Sequence, residues 1–269
     1  MSNANALEIW EKRAELHAAK KGSMIQNLSS EQYNDNWWAH ISPLLGEIKG
    51  GRILEAGCGT GRWAERLIPM GFDLVLSDFS PNMITKAREH AAKLGYEKKV
   101  RFEVLDVCDL HSLTDGSFDM VISTGEPITL SAAPERAIAE YCRVVRPGGY
   151  VLCDAGNRIR KAYDLAMKKP SAKILQVLET GRYTSANGME LHLLSPEILT
   201  GIFEKQGMKL KTLAGITPMG TFPPDPLMTK ALEDDDTYRA METINREYST
   251  RPEIINLSHR LIAVARKPL

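Results

Sequence analysis

The 269-residue chain has no surplus charge of either sign: Lys plus Arg and Asp plus Glu each total 34. Nucleic-acid binders usually carry a basic excess or stripe. The pairs Lys20-Lys21, Lys98-Lys99 and Lys168-Lys169 are scattered and read as solvated faces, so no nucleic-acid partner is expected. Cysteine is scarce. Cys58, Cys108, Cys142 and Cys153 form no C-x-x-C pair and have no histidine cluster beside them, which argues against a disulfide framework and a zinc site. Reduced, buried thiols and no metal are expected. No apolar run approaches the roughly 18 residues of a membrane helix. The N-terminal MSNANALEIWEKR lacks the apolar core of a signal peptide. A cytoplasmic protein with no membrane partner is the expectation. What is present is ordinary for a globular chain with a sizeable core: 43% hydrophobic and 25% charged residues.

The periodicity predicts an α/β fold. Helices are expected over about 6–20, with Leu7, Trp10, Ala14 and Ala18 near one face, and through Trp37, Trp38, Ile41, Leu44 and Leu45 up to Gly50-Gly51. Strands follow at 52–56, 72–77, 100–105, 118–123 and 150–154, with helices at 81–94 and 134–145 between them. Strands alternating with helices of this length imply a doubly wound, Rossmann-like parallel sheet. Beyond Asp154 a helix over 162–178 and an extended segment at 191–194 are expected. Ser195-Pro196 then starts a helix ending at Gly207, and strands close the chain at 208–214 and 260–266. The reading is one domain. Residues 1–50 form a helical cap and 51–155 a cofactor-binding core. Residues 156–194 and 217–257 are cap or lid insertions, the latter rich in proline, and 195–216 with 258–269 complete the core.

Chemistry starts at Glu55-Ala56-Gly57-Cys58-Gly59-Thr60-Gly61. Glycines at a strand-to-helix turn tolerate positive φ and let a ligand press on bare backbone. The following helix aims its N–H groups at that ligand. A dinucleotide fingerprint would need a third glycine where Arg62 stands, which disfavours a nicotinamide dehydrogenase. A phosphate-cradling Gly-Lys-Ser/Thr is absent as well. Glu55 suits a cationic ligand better than a pyrophosphate, and S-adenosylmethionine carries an ammonium and a sulfonium but no phosphate. A residue capping the loop amides is the alternative for Glu55. Asp78, ending the second strand, is placed to accept both ribose hydroxyls of an adenosine. Asp106, ending the third, could accept from the adenine amino group while Val107 packs on the ring. Alone each would read as a surface acid. At successive strand ends they converge on the crevice where such sheets bind ligands.

These residues, with Asp78-Phe79-Ser80-Pro81-Asn82-Met83, Phe118-Asp119-Met120-Val121-Ile122-Ser123 and Arg146-Pro147-Gly148-Gly149-Tyr150, resemble the class I methyltransferases that use S-adenosylmethionine. The branch they resemble includes ubiquinone and menaquinone biosynthesis enzymes. The resemblance is strong over about residues 50–155 and loose over the last two strands. It implies a seven-stranded, mostly parallel sheet whose last strand is antiparallel, and a glycine loop lying along the methionine part of the cofactor. It also implies that Phe79 and Met83 line the adenosine pocket and that Thr124 sits near the methyl donor. The Asn/Asp-Pro-Pro-Tyr/Phe motif of amino methyltransferases is missing after the fourth strand, where Thr124-Gly125-Glu126-Pro127 stands. No Pro-Cys dipeptide offers a cytosine-C5 nucleophile.

Methyl transfer asks mainly for alignment of the acceptor and exclusion of water. A hydroxyl or carbon acceptor adds a need for a base. His192, Glu126, Tyr183 and His40 are candidates, with His192 and Glu126 foremost. A packed strand histidine and a turn-capping glutamate are their bland alternatives. Tyr33, Trp37 and Trp38 either close over the ligands or simply pack. With Tyr183, Tyr33 and Trp37 are taken as acceptor-site candidates. A small-molecule acceptor is expected. A methyltransferase acting on RNA or protein, and a protein that binds the cofactor without methylating, are the competing readings.

Overall fold

A computed structural model describes Leu7, Glu8, Glu11 and residues 28–186, 188–216 and 234–269. Its centre is a seven-stranded sheet in the order β3-β2-β1-β4-β5-β9-β8. The strands are β1 Arg52–Ala56, β2 Asp73–Asp78, β3 Val100–Val104, β4 Phe118–Ser123, β5 Val145–Gly156, β8 Lys209–Ile216 and β9 Arg260–Arg266. A separate antiparallel pair joins β6 Arg182–Thr184 to β7 Glu190–His192. Strands β1 to β5 pair in parallel. Strand β9 runs antiparallel to both β5 and β8, as the resemblance implied.

Successive strand residues face opposite sides of a sheet, and here both sides are covered. Leu54, Val75, Val121, Val151 and Ala263 pack on one side with Ile138 and Tyr141 of α5 (Pro134–Val144) and Leu199 and Phe203 of α8 (Pro196–Lys205). Ile53, Leu74, Met120, Leu152 and Ile262 pack on the other side. Their partners are Trp37, Ile41 and Leu45 of α1 (Leu28–Leu45), Leu67 of α2 (Ala64–Leu67), and Ile84 and Ala87 of α3 (Pro81–Lys93). A strand clad on both faces must be apolar throughout, which is why Ile53-Leu54 and Leu74-Val75-Leu76 read as continuous runs. Two helix starts are capped: Ser195 accepts from Ile198 N–H at 3.4 Å, as its sequence suggests, and Ser80 accepts from Met83 N–H at 3.1 Å.

Three local expectations change. The single helix over 162–178 is two, α6 Arg158–Lys168 and α7 Ala172–Thr180. Pro170 separates them, since a proline disfavours helical backbone in the residue before it. Strand β5 begins at Val145, upstream of the Pro147-Gly148-Gly149 turn, and its pairing with β4 shifts register between Phe118 and Met120. Helix α1 is more than a cap: Trp37, Ile41 and Leu45 are buried in the core of the sheet. Of the earlier helix, only Leu7, Glu8 and Glu11 are described, all helical. Trp10, Ala14, Ala18 and the proline-rich 217–233 lie outside the described residues.

The segment between β5 and α8 stays at the C-terminal edge of the sheet. Leu194 N–H donates to Gly156 O and Arg158 N–H to Leu194 O, both at 2.9 Å. Of the last insertion, α9 Asp235–Thr243 and α10 Pro252–Leu257 are described, and the α10 end joins the same edge. Asn157 Nδ2 donates to Ile255 O and Ser258 O, each at 2.9 Å.

Candidate active site

The strand order reverses between β1 and β4, and the loops after these strands form the crevice where such sheets bind ligands. The first of these loops is Gly57–Trp63. Gly57, Gly59 and Gly61 have φ of 72°, 55° and 79°, a region that disfavours side chains. Gly57 is also required by space: a methyl group there would lie 2.5 Å from Pro127 Cγ. This contact sets the glycine loop against α4 (Pro127–Leu130), the turn that follows β4.

Acidic side chains fix the loop from below. Asp78 Oδ2 accepts from Gly59 N–H at 2.9 Å and Oδ1 from Ser80 N–H at 3.0 Å. Burial raises the Asp78 pKa, opposed by those two N–H groups. Glu55 is buried, and its Oε2 has no hydrogen-bond partner. Burial pushes its pKa up to about 8, with Arg62 pulling the other way. An orphaned buried carboxylate oxygen is costly and asks for a cationic or donor group from outside the chain. Arg62 itself is held by Asn34 Oδ1 at 2.6 Å and lies over the rings of Tyr33 and Trp63, 5.6 Å from each centroid.

The other expected cofactor positions fall along the same edge. Ala56 and Cys58 are buried and Phe79 is half-buried; Met83 is buried in the first turn of α3. Asp106 Oδ1 accepts from Cys108 N–H at 2.9 Å, tightening its own turn, and Val107 is buried beside it. Thr124, just past β4, accepts from Trp63 Nε1 at 3.0 Å, which ties the β4 loop to the glycine loop. Trp63 stacks on Trp38 with centroids 6.2 Å apart.

A second constellation lies beside the first, and only half of it was expected. Tyr33 O–H donates to Asp154 Oδ2 at 3.0 Å, and Arg260 Nη1 donates to the Tyr33 oxygen at 2.8 Å. Arg260 Nη2 is 3.1 Å from Glu126 Oε2, and Nη1 is 3.7 Å from Asp154 Oδ2. Asp154 also accepts from Gly125 N–H at 3.2 Å and Glu126 N–H at 2.6 Å. Burial raises the pKa of Asp154 and of Glu126, in each case against the attraction of Arg260. Burial, then the Asp154 charge, pushes the Tyr33 hydroxyl up to about 12. The sequence reading had Glu126 and Tyr33 as candidates but missed Asp154 and Arg260. An acid ending β5 repeats the position of Asp78 on β2, which was the available signal.

Other candidates are not drawn into this cluster. Trp37 is fully buried in the core. Tyr183 sits on β6 with the Lys161 ammonium 4.0 Å from its ring centroid. His192 is half-buried on β7, opposite Arg182. Burial, then the Arg182 charge, lowers its pKa. His40 is half-buried on α1, with a pKa lowered by burial. Among the described residues no group of acids, histidines and cysteines could hold a metal ion. No helix among them is long and apolar enough to cross a membrane. All four cysteines are free and buried.

Comparison with known proteins agrees with this architecture. A methyltransferase domain family matches residues 53–149. A ubiquinone biosynthesis O-methyltransferase of Thiobacillus denitrificans is 29% identical over 67% of this chain and 72% of its own length. A demethylmenaquinone methyltransferase of Clavibacter sepedonicus is 30% identical over 55% of this chain, which spans 60% of that relative. The crystal structure of an S-adenosylmethionine-dependent methyltransferase from Mesorhizobium loti superposes with a TM-score of 0.61 at 19% identity, covering 86% of this chain and 98% of that one. Residues 53–149 thus match a methyltransferase domain, and the chain shares the fold of S-adenosylmethionine-dependent methyltransferases.

Proposed function

We propose that the chain transfers the methyl group of S-adenosylmethionine to a small organic acceptor. The observation that carries this reading is the buried, partnerless Glu55 oxygen behind a glycine loop that Asp78 fastens at Gly59. A group with a cationic end and a ribose fits that pair of acids; a dinucleotide pyrophosphate does not. In this reading Glu55, Ala56, Gly57, Cys58, Gly59 and Gly61 hold the methionine part. Asp78, with Phe79 and Met83, holds the ribose side, Asp106 and Val107 the adenine, and Thr124 borders the reacting end. When bound, the cofactor supplies an activated methyl group. The chain's share is to orient the acceptor, exclude water and take up a proton when the acceptor is a hydroxyl.

For that proton Glu126 is the better placed of the two foremost candidates. It stands next to Pro127, which touches the glycine loop, and is paired with Arg260; His192 lies on β7, which packs against α4, but stands opposite Arg182 in the β6–β7 pair. The names of the relatives favour a hydroxylated ring as the acceptor. The neutral overall charge favours a small molecule over RNA or protein, and a cytoplasmic location goes with the same reading. Residues 156–194 and 217–257 are proposed as the cover of the acceptor. Calorimetry with S-adenosylmethionine, S-adenosylhomocysteine and NADH tests the donor. A screen of phenolic, amine and carbon acceptors with mass detection then tests the transfer. Binding of NADH alone would refute the donor. Donor binding without methylation of any acceptor would favour a non-methylating protein on the same fold.

A further inference from the structure

At the C-terminal edge of the sheet one positive charge stands against two negative ones. Arg260 faces Glu126 at 3.1 Å and Asp154 at 3.7 Å. Tyr33, whose hydroxyl keeps its proton to about pH 12, adds no charge of its own. The Asp154 side chain has no solvent exposure and that of Arg260 has 7%. The surplus negative charge can therefore be offered only through Glu126, whose side chain is 23% exposed. The next cation acting on Glu126 is Lys161, and its ammonium lies over the Tyr183 ring. A surplus anion in so buried a place is unfavourable unless a cation comes to it.

The chain holds this carboxylate in place at some conformational cost. Glu126 has φ of 68° and is the one non-glycine residue with positive φ among the described residues, a backbone region that side chains disfavour. Its N–H and that of Gly125 are both fastened to Asp154. Opposite, Gly156 leaves the room the carboxylate needs, since a methyl there would lie 2.8 Å from Glu126 Oε1. Through Pro127 the whole turn abuts Gly57 of the glycine loop. A strained, braced and under-neutralised carboxylate beside the loop that cradles the donor has the makings of a counter-charge.

We propose that Glu126, held by Arg260 and Asp154, faces the cationic centre of the donor and selects the charged donor over its neutral demethylated product. The inference rests on the donor reading above and deepens it. Once the methyl group has left, the product no longer carries the sulfonium charge. It loses the attraction of Glu126 and keeps only the contacts both ligands share, so Glu126 favours exchange of product for fresh donor.

The test is calorimetry on the full chain with three ligands: S-adenosylmethionine, S-adenosylhomocysteine, and sinefungin, in which a protonated amine replaces the methylsulfonium. Glu126→Gln removes the charge and keeps the shape. It is expected to weaken S-adenosylmethionine and sinefungin about tenfold and to leave S-adenosylhomocysteine within about twofold. Unchanged binding of the neutral product doubles as the check that the variant is folded. Equal weakening of all three ligands, or no weakening of either cation, would overturn the proposal. Should Glu126→Gln fail to fold, Glu126→Asp withdraws the charge by one methylene. It is then expected to weaken the two cationic ligands alone, by about threefold, and uniform effects would again overturn the assignment. If the wild-type chain binds none of the three, the donor reading itself falls.

Discussion

Replacing Glu55 by glutamine separates a stability effect from a binding effect, and the structure fixes the sign of each. In the folded chain burial raises the carboxyl pKa from 4.5 to about 8, with only Arg62, the Trp63 N–H and nothing else pulling it down. Between those values the unfolded chain has released the proton and the folded chain still holds it. Stability therefore falls with rising pH across that interval, by about 1.4 kcal/mol per unit, and levels off above about pH 8. The accumulated loss is about 3–5 kcal/mol. Glutamine cannot ionise and keeps an oxygen for the Trp63 N–H. Glu55→Gln is thus expected to match the wild type near pH 4.5 and to exceed it by about 3–5 kcal/mol at pH 8.5. Denaturant unfolding of both proteins at pH 5, 7 and 8.5 measures the difference. Asp154 and Glu126, whose pKa values are also raised, are common to both proteins and cancel, while the Asp78 charge is part of what raises Glu55 and so belongs to the measured difference. The same substitution should weaken S-adenosylmethionine, because the orphaned Oε2 is the atom that its cationic end would satisfy. Two proteins with parallel stability curves across this pH range would refute the account of Glu55 as a buried acid whose ionisation the unliganded fold opposes.

Asp78→Ala should weaken donor binding by about 1–3 kcal/mol, since the ribose loses its charged acceptor and Gly59 N–H and Ser80 N–H lose theirs; an unchanged dissociation constant in a folded variant counts against this role. Gly57→Ala places a methyl 2.5 Å from Pro127 Cγ at a φ of 72°, and should cost about 1–3 kcal/mol of stability, read from the denaturation midpoint. His192→Ala should lower turnover on an identified acceptor less than tenfold, because His192 stands on β7 and not in the Glu126 cluster; a loss of about a hundredfold or more with donor affinity intact would make it the base.

Most of the sheet was legible in the sequence because its determinants are local. Ile53-Leu54, Leu74-Val75-Leu76 and Met120-Val121-Ile122 are apolar runs of strand length closed by glycine, proline or an acid, and β1, β4 and β9 fall where their composition places them. The cofactor edge was legible for the same reason. Glu55, Gly57, Gly59, Asp78 and Asp106 each stand at a strand end, and the doubly wound topology carries strand ends to one crevice. Where a local signal was weak, the reading slipped. The helices α6 and α7 were merged across Pro170, and β5 was started too late because Pro147-Gly148-Gly149 reads as a turn when it lies within the paired region.

The acceptor side resisted for a different reason. Tyr33 and Asp154 are separated by 121 positions in the chain, and Tyr33 and Arg260 by 227. In the sequence, Asp154 is the polar end of an apolar strand and Arg260 the polar start of another, and neither asks for a partner. The pairing comes from the sheet: β5 and β9 run antiparallel, with Gly156 opposite Arg260 and Asp154 opposite Ile262. The end of one strand is thereby set beside the beginning of the other, and α1 delivers Tyr33 to the same corner. Once three elements have met there, the charge count in the corner becomes a property of the fold. That is why Glu126, readable beforehand only as a turn residue or a base, takes on a charge-selecting role when Arg260 is found to serve two acids at once.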